Sequence, residues 1–366
     1  MSIRYRNVQG LRAIAALMVF CSHLFWDIVP MRAHWARPFV TAYGRSGVDI
    51  FFVISGFIIY HAAKRSAAQV EIVGRGRAAC EFAMKRVIRI YPLYWTVFAA
   101  AAIIMVWAPL PVSMPRQPQF DLLILIDSIP NFRVPAAWTL AFEVYFYAMT
   151  AISILIFPSR IFTGLHIWFA VIAGVILVST ISGVPAPLDY TFAPILLEFL
   201  LGVGVGFLID RGEHRLPVTA LCIGVVCFAA GNHHLDPYAG GAAMSYLARL
   251  VCWGFPGALI VYGVIALEVR GSWIMPRALQ YLGDASYSLY LWHAVVFYGV
   301  AALFVHFGWV GVVKSTLLTL IMAAIGFGIG LLSYHFIEKP SLRVLGGLLV
   351  SRKPDPSASA ADPSLT

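Results

Sequence analysis

Arg12 and His23 stand eleven residues apart in an otherwise apolar run near the start of the chain. Ionisable side chains inside a membrane-spanning helix are costly to bury and mark functional sites. Eleven residues is close to three helical turns, so the two share one face, roughly 16 Å apart along the axis. A guanidinium near one mouth and an imidazole deeper on the same face suit a site that is entered from one surface and reacts inside the bundle. The plainer alternative is a topogenic arginine and a buried, hydrogen-bonded histidine.

Five further segments place polar groups at membrane depth. In Gly47–Phe57, Asp49 lies at the start of an apolar stretch, as a helix cap, a partner for Arg45 or an active carboxylate, while Ser55 and Gly56 suit close helix packing. In Lys85–Trp95, Arg86 and Arg89 are three apart and share a helix face. Paired guanidinium groups bind phosphate through bidentate, charge-assisted hydrogen bonds, although the same residues serve as a topology signal. Tyr91, Tyr94 and Trp95 read as an interfacial aromatic belt. Glu143 in Trp138–Tyr147 must be paired or protonated; it could orient an imidazole, act as a base, or pair with an arginine. Ser286 and His293 are seven residues apart, on one helix face two turns apart. Glu338 and Lys339, where the last span ends before Pro340, read as an exposed terminus.

These residues must be held by membrane helices. Of 366 residues, 60% are hydrophobic and 12% charged, about half the charge fraction of a soluble domain. Mean hydropathy is +0.82. A span needs about 20 apolar residues. Ten are expected, near 11–30, 45–63, 90–108, 138–157, 164–183, 193–209, 216–231, 246–267, 281–304 and 312–336. With the N-terminus inside, 19 of the 26 Lys and Arg fall in cytoplasmic segments and 7 outside, which puts both termini in the cytoplasm. The expected class is therefore all-α, a polytopic membrane bundle forming one domain over 1–350, with a disordered tail at 351–366. The first span reads as a retained signal anchor, because no small-residue cleavage site follows it.

The basic segment Lys64–Arg89 is expected as a cytoplasmic loop, and the Pro-rich segment Pro109–Ala137 as an outer loop long enough to form a lid. The net charge of +9 follows membrane topology, so no nucleic-acid partner is expected. The five cysteines form no CxxC pair, and neither disulfides nor a metal site is expected; His233, His234 and Asp236 read as a solvated loop. P-loop, GxSxG and HExxH patterns are missing, which removes support for a triphosphatase, a soluble-type hydrolase and a gluzincin.

In this order the six segments resemble the membrane-bound acyltransferase family 3, the exopolysaccharide and O-antigen O-acetyltransferases. The stretch Val8-Gln9-Gly10-Leu11-Arg12-Ala13 leading to His23 is similar to the family's Arg-x10-His signature, and Gly47–Phe57, Arg86–Trp95, Trp138–Tyr147 and Ser286–His293 match further blocks. The resemblance covers about residues 5–343. It implies a multi-pass protein of the bacterial inner membrane, with acetyl-CoA as donor, no metal, and an envelope glycan or lipid-linked saccharide as acceptor. It also implies the type without an appended hydrolase-like domain. Membrane lipids surround the bundle, and a homo-oligomer is compatible with it.

On that basis Arg12, Arg86 and Arg89, with Tyr91 beside them, are the expected acyl-CoA residues, and His23 the expected base, about 18 Å into a core about 30 Å thick. Either Glu143 or Asp49 orients the imidazole. Trp138, Tyr287 and His293 are expected to hold the acceptor. Direct transfer and an acyl-histidine intermediate both remain open. The competing classes are a flippase for a lipid-linked sugar and a scaffold subunit of an export assembly. A scaffold gains nothing evident from a buried Arg12, His23 and Glu143.

Overall fold

The run of apolar segments becomes a run of helices. A computed structural model describes residues 5–26, 43–107, 125, 134–182, 192–234, 247–309 and 314–350. Helices α1 (Arg6–Trp26), α2 (Gly47–Ala68), α3 (Arg75–Trp107), α4 (Trp138–Ile156), α5 (Ile161–Ser182) and α6 (Leu196–Asp210) come first. They are followed by α7 (Pro217–His234), α8 (Phe255–Val269), α9 (Arg277–Asp284), α10 (Ser286–His306), α11 (Ser315–Ser333) and α12 (Lys339–Val350). No strand occurs among the described residues. Each of the ten expected spans corresponds to a helix, α9 and α12 being additional.

Seven helical stretches are long and apolar enough to cross a membrane: Tyr43–Ala68, Arg75–Val106, Pro135–Ile156, Pro158–Ser182, Leu247–Val269, Ser286–His306 and Thr316–Leu348. Helices α1, α6 and α7 lie outside that set. Arg6, Asn7, Gln9 and Arg12 make the start of α1 polar, α6 has 15 residues, and the apolar part of α7 is Pro217–Asn232. The fold is thus a multi-pass helical bundle in which seven stretches among the described residues meet the length and composition expected of a crossing.

Two expectations change. The segment 64–89 is largely helical: α2 runs to Ala68, a single turn covers Val70–Val73, and α3 begins at Arg75. Gly74 makes the reversal at φ +82°, where a side chain would be strained. At the other end the helix does not stop at Pro340. A π turn at Tyr334–Glu338 carries α11 without a break into α12, and Pro340, which has no N–H to give, falls just after that turn inside the single helical stretch Thr316–Leu348. The lid segment (apart from Leu125 and 134–137), Asp236 and the tail lie outside the described residues.

Helix α1 has no acidic residue in its first turn. Glu268 of α8 supplies one, accepting bonds from the backbone N–H groups of Arg6 and Asn7 at 2.7 Å each. Asn7 ties the same end to Val264, Trp273 and Met275. This fixes the entry of α1 and so the placement of Arg12.

Helices α2 and α6 cross with almost no side chain between them. A Cβ on Gly56 would run into the Phe199 carbonyl and approach the Gly202 Cα to 3.0 Å, and one on Gly202 would run into the Val53 carbonyl. Gly56→Val is therefore expected to push the pair apart at a cost of about 1–3 kcal/mol or more. The readout is a lower melting temperature on detergent size-exclusion; an unshifted melt would show that the crossing tolerates separation.

Candidate functional site

Helices α1, α2, α3, α4 and α10 enclose a cavity of about 420 Å³. One end is basic: Arg12 of α1, Arg65 of α2, and Arg86 and Arg89 of α3 line it, together with His61. Ser55, Glu143 and Tyr147 line the middle. Thr139 and Tyr290 line the far end. Four of the residues named from sequence, Arg12, Arg86, Arg89 and Glu143, are thus brought to one space, and Tyr287 is a fifth.

The two arginines of α3 differ sharply. Arg89 pairs with Glu338, which is only 2% exposed and also accepts a 2.6 Å bond from the Ser288 hydroxyl. The Arg89 guanidinium further sits over the Tyr287 ring, 5.1 Å from its centre. Glu338 is therefore a buried counter-ion and not an exposed terminus. The π turn it closes is the reason, since an extra residue in the turn rotates the side chains that follow it. Arg86 pairs with no carboxylate among the described residues, and its Nε is buried with no hydrogen-bond partner there. It packs against the rings of Phe82 and Tyr147, at 5.6 and 5.8 Å.

Other cavity-lining atoms are in the same condition. Gln9 Oε1, His61 Nε2 and Ser286 Oγ are buried without a hydrogen-bond partner among the described residues. Buried polar atoms are rarely left unmatched, and several around one space point to a polar ligand. His61, Arg65 and Gln9 were missed in the sequence. Arg65 falls four residues after His61, one turn along the same face, and that spacing could have found them.

Glu143 accepts a 3.0 Å bond from the Ser55 hydroxyl and another from Tyr147. Its partners among the described residues are hydroxyls, and it reaches neither His23 nor His293. Asp49 is fully buried and pairs in two-point fashion with Arg249, at 3.1 and 2.8 Å. Neither carboxylate orients the imidazole in this arrangement, because α2 and α4 turn them toward other helices. Arg249 stands immediately before a second π turn, Leu250–Gly254, and lies against the rings of Trp138 (5.7 Å) and Trp253 (5.4 Å). Glu198 of α6 is fully buried beside Asp49. Gly254 makes room for it: a Cβ there would come to 3.0 Å from the Glu198 Cγ. Trp138 thus belongs to this cluster and not to the cavity wall.

His23 does not line the cavity either. Its Nδ1 bonds the Val19 carbonyl at 3.0 Å, which places the ring's lone pair on Nε2. Its ring meets His293 edge-to-face, with centres 4.8 Å apart. His293 is fully buried among the rings of Phe20, Tyr290 and Phe297. The Tyr287 hydroxyl donates to the Ile90 carbonyl at 2.7 Å. Tyr91 packs at a tilt against Trp95, which is exposed, whereas Tyr94 turns into the core, so the expected aromatic belt is only partly one.

The family described as an acyltransferase domain matches residues 5–335. Among characterised relatives, the exopolysaccharide production protein ExoZ of Rhizobium meliloti is 30% identical over 82% of this chain and 90% of its own length. The acyltransferase MdmB of Streptomyces mycarofaciens is 26% identical over 100% of this chain and 98% of its own. The O-acetyltransferase OatA of Staphylococcus aureus is 25% identical over 91% of this chain and 56% of its own length. No solved structure matches the chain.

Proposed function

We propose, since this chain belongs to the acyltransferase 3 family, that it transfers an acetyl group from acetyl-CoA at the basic end of the bundle to a hydroxyl of an exopolysaccharide or other envelope glycan. The names of ExoZ and OatA support a glycan acceptor and an acetyl group. The observation that carries the donor is the cavity itself. It is lined by Arg12, Arg65 and Arg86 at its basic end and reaches Thr139 and Tyr290 past buried polar atoms that lack partners among the described residues. A CoA thioester has that form: phosphates at one end, then a thin arm with amide groups, then the acyl carbon.

The chemistry follows from the groups at hand. The glycan hydroxyl oxygen attacks the thioester carbonyl carbon, and His23 Nε2 takes the hydroxyl proton. The C–S bond then breaks, and the proton passes to the sulfur to give CoA thiol and the ester. The fully buried His293 ring packs edge-to-face on the imidazole. Arg89 is held by Glu338, so Arg86 and Arg65 carry the larger share of phosphate binding.

A charge-assisted hydrogen bond contributes about 1.5–3 kcal/mol, so Arg86→Ala is expected to raise the KM for acetyl-CoA by roughly 10–150-fold with a smaller change in kcat. Radiolabelled acetyl-CoA supplied to membranes, followed by glycan extraction, checks the reading as a whole. Label in a base-labile glycan ester supports it. Sugar translocation without ester formation would replace it with a carrier.

A further inference from the structure

We propose that Tyr290 sets the upper limit on the length of the transferred acyl group, as an aromatic wall at the end of the cavity next to the His23–His293 pair; this rests on the acyl-CoA reading above. On α10 the cavity wall runs from Ser286 through Tyr287 to Tyr290 and ends there. His293, one turn further, does not reach the wall. The Tyr290 ring touches both regions: its centre is 5.8 Å from that of His293 and 5.7 Å from that of Phe51, a cavity residue.

The ring is held in place from its tip. Its hydroxyl lies 2.8 Å from the Thr139 hydroxyl and 3.2 Å from the Ala136 carbonyl, and Thr139 Oγ1 lies 3.0 Å from the same carbonyl. Two donors and three acceptors meet there, so both hydroxyls are satisfied whichever one donates to the other. This ties α10 to the turn that opens α4. Beyond the ring, Phe20 and Phe297 close around His293 with centres 6.2 and 5.9 Å away. A thioester seated at this end of the cavity brings its acyl tail against this aromatic wall. A two-carbon group presents only a methyl to it, whereas each further methylene must displace a ring that is fixed at both ends.

The test uses the purified full-length protein and a series of acetyl-, propionyl-, butyryl- and hexanoyl-CoA. Affinity is measured by competition with labelled acetyl-CoA, and acyl esters on the host glycan are measured by mass spectrometry. One methylene in an apolar pocket changes discrimination by roughly 10–200-fold, so wild type is expected to fall steeply with chain length. Tyr290→Phe keeps the ring and should keep the butyryl-to-acetyl ratio. Tyr290→Ala should raise that ratio by roughly tenfold or more, and Tyr290→Leu, which retains apolar bulk and guards against misfolding, should raise it in part. A residue that merely supports the fold would weaken all chain lengths alike, so an unchanged ratio in the Leu and Ala variants overturns the proposal. Failure of wild type to bind any of the thioesters would instead defeat the acyl-CoA reading and this inference with it.

Discussion

Alanine at His23 is expected to lower glycan acetylation by about 10²–10⁴-fold, the usual worth of a positioned general base. The amount of folded protein in the membrane should hardly change. The imidazole's hydrogen bonds run to its own helix, to Val19 and Ser22, and its contact with His293 is one ring edge. Ester formation per folded molecule, normalised by detergent size-exclusion, is the measurement. Acetylation at the wild-type rate would remove His23 from the chemistry, and the base would then have to be sought inside the cavity, where His61 is the imidazole on the wall.

The second large effect is on stability. Arg249→Met is expected to cost about 3–5 kcal/mol, because it leaves Asp49 buried without its cation. Both partners are almost inaccessible, at 4% and 0% side-chain exposure, and Glu198 adds a second carboxyl group to the same space. The double variant Arg249→Met with Asp49→Leu should recover part of the loss, since removing both charges of a buried pair is far less costly than removing one. Melting temperatures of the two variants, compared with Asp49→Leu alone, complete the cycle. Equal melting of Arg249→Met and wild type would show that the pair contributes nothing to the fold.

The helices were legible because an apolar run of about 20 residues has few alternatives to a buried helix. Arg12, Arg86 and Glu143 were legible as a group because each interrupts such a run, and the bundle does bring them to one cavity. Partnerships were not. Arg249 reads as one more basic residue of an outer segment, and Asp49 as a helix cap, a partner for Arg45 or an active carboxylate; their contact joins positions 200 residues apart. Glu338 reads as a frayed end because Pro340 follows it, yet a π turn rotates it inward onto Arg89. A π turn leaves no periodic mark, since the apolar pattern on either side of it is intact. The shared face of Arg12 and His23 was correctly spaced on α1, but a face on one helix does not make a continuous channel. Arg12 lines the cavity and His23 does not, and Tyr290 of another helix packs on the His293 ring that His23 meets.

The Arg89–Glu338 contact also bears on where the working unit ends. Similarity to the family stops at residue 335, and the carboxylate that neutralises Arg89 comes three positions later. A fragment trimmed to the recognised boundary would keep every signature residue and still strand a guanidinium inside the protein. The folded unit accordingly runs past the family match, because the charge balance of its cavity is completed by Glu338.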